Sequence, residues 1–352
     1  MDKKGKVLVG LSGGVDSSVA AFLLQKEGYE VIGITMQMES AMANQKVIED
    51  AALVARHLGI THIVLDFHKE FKEYVIQNFI WEYQNGRTPN PCIVCNRHVK
   101  WEALLDKADE LGADYIATGH YATIRQLDHG RYAICNSATA AKDQTYALYQ
   151  LTQKQLARTL MPVGVYEKDQ IRQIALEAGI PVATKADSQE ICFIPDHDYA
   201  SYIEHNSDVV LPKEGDFVNT QGEVIGRHKG LVHYTVGQRK GLNLSVGHPV
   251  FVKEIRVKEN QVVICESEEL FTKTLQASPV FYMGVERLVE PTRFLAKIRY
   301  GHKGQWCKVT PKADGSIECE FDEPVRAVTP GQSVVLYQDN FVALGGVIGA
   351  VK

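Results

Sequence analysis

Residues Gly10–Ser18 read GLSGGVDSS and follow directly on the strand-like run Lys6–Val9. Three glycines within five residues mark a backbone that another group must approach closely. A tight turn into a helix beginning near Val15 accounts for the glycines. It does not account for Ser12, Asp16, Ser17 and Ser18, which crowd hydroxyls and a carboxylate into the same turn. Where a strand gives way to a helix, the N–H groups of the turn and of the first helical residues form a cradle for an anion. Open α/β sheets bind ligands outside that strand end. The Gly-Lys-Ser/Thr ending of a Walker A loop is absent, as is Gly-x-Gly-x-x-Gly. Ser12, Ser17 and the loop amides are therefore candidate phosphate ligands, and Asp16 is a candidate partner for Mg²⁺.

The rest of the first half repeats one rhythm of amphipathic helix, glycine stop and short apolar strand. LLQKEGYEVIGITM stops at Gly28, ARHLGITHIVLD at Gly59, DELGADYIATGH at Gly112 and ALEAGIPVATK at Gly179. Each glycine suits the left-handed position that ends a helix. The strands expected at Val31–Thr35, His62–Leu65 and Tyr115–Thr118 are short and largely apolar, as in a sheet covered on both faces. Alternation of this kind predicts a parallel α/β sheet. Beyond about Tyr202 strand-like runs dominate, from HPVFVKEIRV through RFLAKIRY to FVALGGVIGAV, with turn signals such as ADGS and TPGQ between them. The expected organisation is an α/β domain over residues 1–202, a small central β-rich domain over 203–278 and a C-terminal β-barrel over 279–352.

The 352 residues are 45% apolar and 23% charged, which is ordinary for a soluble globular protein and long enough for several cores. No apolar run approaches the roughly 18–20 residues that span a bilayer, and the opening MDKKGKVLVG has no signal-peptide layout. A cytoplasmic protein with no membrane partner is expected. The net charge of −5 does not advertise a polyanion partner, although a local basic face suffices to bind one. Seven cysteines, an odd number, do not suggest a secreted disulfide framework. Cys135, Cys265, Cys307 and Cys319 read as small buried hydrophobes.

The other three cysteines keep different company. GRTPNPCIVCNRHVKW puts Cys92 and Cys95 behind two turn-forming prolines and at the entry to a helix. There the helix dipole, with Arg97 and His98 nearby, would favour a thiolate at Cys95. A structural zinc site would need a second Cys-x-x-Cys or a Cys/His pair at zinc spacing, and none follows. Cys192 lies in TKADSQEICFIPDHDY, apolar on either side but approached through a strongly polar run, as in a loop entering a site.

SGGVDS resembles the PP-loop of the N-type ATP pyrophosphatases, which split ATP into AMP and pyrophosphate while adenylating an oxygen. That loop is followed by GRTPNPCIVCN, LGADYIATGHYA, AKDQTYALYQL, DSQEICFI, GLVHYTVGQRKGL and AVTPGQSVVLY. In that order, from residue 6 to beyond 336, the chain resembles the tRNA-specific 2-thiouridylase (MnmA) family. The resemblance implies a PP-loop α/β domain, a small central domain and a C-terminal β-barrel. It implies that ATP is held at Gly10, Leu11, Ser12, Gly13, Gly14, Val15, Asp16 and Ser17, with Met36 and Gly119 at the adenosine. That ATP would adenylate the C2 oxygen of the anticodon wobble uridine of a tRNA. Cys192, charged by a sulfur-relay protein, would carry a persulfide, a good nucleophile. Cys95 would release the sulfur, ending in a Cys95–Cys192 disulfide. Asn90, Pro91 and Cys92 match the strip against the target base, while His120, Lys142, Asp143, Gln144, Arg299, Tyr300 and Gln332 match tRNA contacts. Lys142 and Arg299 suit phosphates, and Tyr300 suits stacking on an exposed base.

The chain departs from the family at two places. Many relatives carry Asp where this chain has Cys92, and that Asp is usually assigned acid–base work. A thiol starts from a higher pKa, about 8.5. Cys92, Cys95 and Cys192 could also ligate three irons of a [4Fe–4S] cluster, leaving the fourth iron open to sulfide. The stretch QMESAMANQKVIED is shorter than the acidic insertion that many relatives carry. Two other functions share parts of this pattern. A PP-loop ligase delivering nitrogen to an adenylated small molecule would need neither Cys95 nor Cys192, and a tRNA-binding module without activity would consume no ATP.

Overall fold

The structure is a computed structural model describing residues 4–38, 41–186, 191–194 and 198–351, with the side chains of 41–44 and 350–351 left aside. The middle of strand β1 (Lys6–Gly10), Val7–Val9, is apolar and buried because both of its faces are covered. Leu8 enters one core with Trp101, Leu104 and Ile116, whereas Val7 and Val9 enter another with Val19 and Val54. From β1 the chain passes through α1 (Val15–Lys26), β2 (Glu30–Gln37), α2 (Ala41–Leu58) and β3 (Thr61–Asp66). It then supplies β4 (Tyr115–Ala117), a hairpin of β5 (Thr123–Gln126) and β6 (Tyr132–Cys135), and β7 (Thr159–Leu160). The first sheet has the order β3-β2-β1-β4-β7, every pair parallel. Gly10 lies opposite Ile34 of β2 on one side, and Val9 opposite Ala117 of β4 on the other. Winding therefore reverses between β1 and β4, which opens a crevice at their carboxyl ends.

The expected fourth repeat of the rhythm fails. After Gly179 the chain makes turns, with Ala183 N–H on the Ile180 carbonyl (3.0 Å) and Lys185 N–H on that of Val182 (2.9 Å). Pro181 has no N–H for a sheet ladder, and Val182 and Ala183 are buried without a strand partner.

A second sheet is built from β8 (Gly215–Val218), β9 (Val224–His228), β10 (Phe251–Arg256) and β11 (Gln261–Cys265), in the order β10-β11-β8-β9. It covers its own core around Phe217, Tyr234, Val252 and Val262. The third sheet uses β12 (Phe271–Tyr282), β13 (Thr292–Lys297), β14 (Gln305–Pro311), β15 (Ile317–Arg326), β16 (Ser333–Gln338) and β17 (Phe341–Val351). These run antiparallel as β12-β15-β14-β13-β16-β17, and β17 returns to β12. Closure into a barrel leaves no sheet edge among these strands.

Two expected boundaries are corrected by the strand pairing. Residue 278 falls inside β12, which belongs to the barrel from Phe271 onward. The β5–β6 hairpin, placed by sequence within the α/β domain, extends the barrel sheet, with Cys135 opposite Phe341. Buried tyrosines then fix the barrel to the α/β domain. Tyr146 hydroxyl donates to the Ser333 carbonyl (2.8 Å), and Ser333 Oγ donates to the Tyr149 hydroxyl (3.0 Å). A buried tyrosine needs such a partner for its polar end. Among the described residues no helix is long and apolar enough to cross a membrane.

Candidate active site

The crevice between β1 and β4 is lined by the turns that leave those two strands. Gly13 has φ +63°, and a Cβ there would lie 2.7 Å from the Val47 carbonyl oxygen. Gly119 approaches the first turn of α1 so closely that a Cβ would meet Ser17 N at 2.6 Å. Gly14 caps α1, and hydroxyls tie the turn together. Ser12 N–H donates to Ser17 Oγ (3.2 Å), Ser12 Oγ lies 3.1 Å from Ser17 Oγ, and Ser18 Oγ donates to the Gly14 carbonyl (2.7 Å). Leu11 and Val15 bury their side chains and offer the site only backbone. Met36 borders the same crevice, its Cε 3.9 Å from where a Cβ of Gly10 would stand. Among the described residues the N–H groups of Gly13 and Gly14 have no protein acceptor. Open amides at the start of a 12-residue helix fit a phosphate group.

Asp16, expected to stand open toward a metal ion, is already engaged. Its Oδ1 accepts from the Tyr121 hydroxyl (2.7 Å) and from the Lys168 ammonium (2.6 Å). On the other flank of the loop, Lys185 donates to the Gly13 carbonyl (2.9 Å) and to Asp50 (2.7 Å). Hydrogen bonds from Lys185 and Lys46 hold the Asp50 carboxyl below the usual range. Sequence reading had assigned neither lysine. Lys168 is 152 positions from Asp16, so no local pattern joins them.

The thiols are arranged differently from expectation. The helix starts earlier than Cys95, with Asn90 as its cap and Pro91 as its first residue, and continues through a π-helical segment Asn96–Trp101 to residue 110. Cys92 is thus exposed in the first turn, whereas Cys95 lies a turn further in and buried, its Sγ 4.0 Å from Met38 Sδ. Burial pushes the Cys95 thiol up, against an opposing pull from Lys100. Arg97 and His98 do not lower it. Arg97 lies 4.6 Å from the centroid of the Phe281 ring of the barrel. His98 stacks on Tyr74 with ring centroids 5.2 Å apart, and burial and Arg97 lower its basicity.

Cys192 is exposed, but its apolar neighbours are not. Phe193 and Ile194 are buried in the core that also holds Cys95, Val99 and Phe79, with Phe193 edge-on to Phe79 at 5.3 Å. That core therefore holds both Cys95 and the two residues that follow Cys192, which come from distant parts of the sequence. All three thiols act on one cation, Lys100: burial opposes its charge, while Cys95, Cys92 and Cys192 raise its pKa above the usual lysine value. Residues 187–190, the DSQE of the motif, lie outside the described residues, as do 195–197. Among the described residues no three His, Cys, Asp or Glu side chains are arranged to hold a metal ion.

The expected tRNA contacts divide into two groups. His120 lies beside the Trp101 ring (5.4 Å) with Nδ1 2.9 Å from Thr118 Oγ1. Burial, and then Lys100, lower its pKa to about 3, so it offers no cation at neutral pH. Asp143 is buried and accepts from the N–H groups of Ser137 (2.9 Å) and Thr145 (3.1 Å) and from the Thr145 hydroxyl. Gln144 pairs with both backbone groups of Tyr121 (2.8 and 2.9 Å). Gln332 donates to the carbonyls of Thr88 (2.9 Å) and Pro89 (3.1 Å), pinning the loop before Asn90. The fold itself uses these three. Tyr300, by contrast, is 47% exposed and edge-on to Tyr146, and besides burial its phenol feels Asp143, Lys142 and Cys92. Arg299 donates to the Arg326 carbonyl (3.0 Å) at the surface. Asn90, Ile93 and Val94 border a groove of about 790 Å³ whose other wall includes Trp81 and Pro279.

Family models match the chain in three consecutive segments. One described as a tRNA methyl transferase HUP domain matches residues 5–196, a tRNA methyl transferase PRC-barrel domain matches 207–266, and an aminomethyltransferase beta-barrel domain matches 272–348. The tRNA-specific 2-thiouridylase MnmA of Lachnoclostridium phytofermentans is 53% identical, with 97% of this chain and 99% of that protein covered. The protein of the same name from Clostridium kluyveri is 50% identical, covering 97% and 99% respectively. That of Acetivibrio thermocellus is 49% identical, covering 99% and 100%. With a phosphate-binding loop at the switch point of the sheet and half of the residues shared end to end, the chain belongs to the tRNA-specific 2-thiouridylase (MnmA) family.

Proposed function

We infer that this protein is a tRNA-uridine 2-sulfurtransferase. It uses ATP to adenylate the C2 oxygen of the anticodon wobble uridine, then replaces that oxygen with persulfide sulfur, giving 2-thiouridine, AMP and pyrophosphate. One observation carries this reading. Gly119 lies against Ser17 of a phosphate loop at the switch point of the sheet, in a chain half identical from end to end to tRNA-specific 2-thiouridylases.

Uridine C2 is a poor electrophile until its oxygen can leave as AMP. The amides of Gly13 and Gly14 and the start of α1 hold the triphosphate, flanked by Lys168 and Lys185. The C2 oxygen attacks the α-phosphorus, and the bond to pyrophosphate breaks. Donors already in place stabilise the charge that develops on the leaving oxygens. Asp16 would hold the Mg²⁺ that accompanies ATP, since one carboxylate with phosphate oxygens and water suffices for that ion.

Exposed Cys192 takes up sulfur from a relay protein as a persulfide. The terminal persulfide sulfur attacks C2, and the C2–O bond breaks as AMP leaves with its electron pair. The Cys95 thiolate then attacks Sγ of Cys192: a Cys95–Cys192 bond forms, the bond from Cys192 to the terminal sulfur breaks, and that sulfur keeps the electron pair and remains on C2. An external dithiol reduces the disulfide for the next cycle. Cys92 and Tyr300 border the base, with Lys142 for a phosphate. A tRNA substrate supports a cytoplasmic enzyme. Incubation with ATP, a persulfide-charged donor and unmodified tRNA should yield 2-thiouridine in proportion to AMP, read by nucleoside mass spectrometry. An amidated product without thiouridine, or tRNA binding without ATP consumption, would overturn the reading.

A further inference from the structure

Lys100 is a partly buried cation with no carboxylate partner among the described residues. The lysines at the phosphate loop have theirs, Lys168 in Asp16 and Lys185 in Asp50. Among the described residues Lys100 forms no ion pair and donates no hydrogen bond from its ammonium. Removing an ammonium from water without a counter-ion is costly, so the site must be built for an anion that comes and goes.

The groups that raise the pKa of Lys100 are the thiols of Cys95, Cys92 and Cys192. Cys95 stands five residues earlier on the same helix. In an α-helix that spacing puts side chains about 140° apart. The segment between them, Asn96–Trp101, is π-helical, and its wider turn swings Lys100 toward the face that carries Cys92 and Cys95. From a separate segment comes the Cys192 turn, anchored through Phe193 and Ile194 in the core around Cys95. The remaining titratable neighbour is His120, at the end of β4, which is neutral near pH 7. Arg97 and His98, the other cationic candidates on this helix, are turned onto Phe281 and Tyr74.

We propose that Lys100 is the shared counter-cation of the sulfur-transfer thiols, balancing the Cys95 thiolate and the Cys192 persulfide in turn. This rests on the sulfur-transfer reading above. As Cys95 attacks Cys192, negative charge leaves the Cys95 sulfur and appears on the departing terminal sulfur. A single fixed ammonium spanning all three thiols keeps that charge in one field throughout, without reorganisation of solvent.

Alkylation of the resting protein with iodoacetate and with iodoacetamide tests this directly, because the reagents are similar in size and only the first is an anion. Rates at Cys92, Cys95 and Cys192 are read by peptide mass spectrometry at low salt. Lys100→Met is expected to lower the iodoacetate-to-iodoacetamide rate ratio at Cys92 and Cys192 about tenfold, and Lys100→Arg to restore it within about twofold. Sulfur transfer from preloaded Cys192 should slow about 100-fold in Lys100→Met, with pyrophosphate release within about threefold of wild type. Should Lys100→Met misfold, exposing buried Cys265 and Cys307 to both reagents, Lys100→Gln supplies the same comparison. An unchanged ratio in the folded neutral variant overturns the proposal. A changed ratio in a protein whose wild type makes no 2-thiouridine retains the counter-cation and overturns only the function inferred above.

Discussion

Lys168→Met keeps the aliphatic stem but removes the ammonium that sits 2.6 Å from Asp16 Oδ1. The hydroxyl of Tyr121, 2.7 Å from the same oxygen, remains to hold the carboxylate in place. The pair goes from neutral to a bare negative charge beside a site that must take a polyanion. At about 6 Å from the nearest phosphate charge, and an effective dielectric of about 20, one uncompensated charge is worth about 3 kcal/mol. That corresponds to a KM for ATP raised about 100-fold. Side-chain exposures of 12% and 29% keep salt from screening much of it. Folding should lose about 1–3 kcal/mol as well, a drop of several degrees in Tm. The assay is tRNA-dependent pyrophosphate release against ATP concentration. Asp16→Asn combined with Lys168→Met makes the pair neutral again. The double variant should recover ATP affinity to within about tenfold of wild type, while kcat stays low for want of the Asp16 carboxylate. A KM within about threefold of wild type in Lys168→Met, or a double variant with no better affinity than the single, would refute the reasoning.

The thiols should be separable by step. Cys192→Ser should accept no sulfur yet still release pyrophosphate with tRNA, Cys95→Ser should accept sulfur and stall before product, and Cys92→Ser should keep appreciable activity, all read by peptide and nucleoside mass spectrometry. Equal loss in all three, with activity tracking iron content, would replace the persulfide route by a cluster. His120, at about 3 when folded and about 6.5 when unfolded, binds fewer protons in the folded chain between those values. Its stabilising contribution is therefore full above about pH 6.5 and falls by about 2 kcal/mol on going to pH 5. Denaturant titrations at pH 7 and 5 should show that slope in the wild type and lose it in His120→Gln. Gln332→Ala removes two hydrogen bonds from the loop before Asn90 and should cost about 1–2 kcal/mol in Tm measurements. An unchanged Tm with weakened tRNA binding would instead make Gln332 a tRNA contact.

The glycine turn was legible because its signal is local: strand, glycines, hydroxyls and helix stand within a dozen residues. The parallel sheet was legible for the same reason, through glycine stops such as Gly28, Gly59 and Gly112. What escaped was everything the topology supplies. Lys168 reaches Asp16 only because the helix Lys168–Glu177 packs against α1, a contact across 152 positions. Lys100 escaped because an α-helical period turns it away from Cys95, and a π-helical turn leaves no mark in residue spacing. The helix start was misplaced although Asn90–Pro91 carried it, proline being favoured at the first helical position. Strand runs read the same on either side of a domain boundary, so β12 was cut at 278, and the β5–β6 hairpin was kept from the barrel it joins. Asp143, Gln144 and Gln332 matched tRNA contacts by motif, while their hydrogen bonds are spent inside the fold. Polar residue types alone do not separate those two uses.

The central claim, that ATP activation and sulfur transfer from Cys192 are parts of one reaction, is tested most directly by a single-turnover chase. Cys192 is loaded with ³⁵S, free donor is removed, and tRNA and ATP are added. Label should move into 2-thiouridine with one pyrophosphate released per sulfur transferred, leaving a Cys95–Cys192 disulfide detectable by peptide mass spectrometry. Label that stays on Cys192 while unlabelled sulfide drives product formation would contradict it.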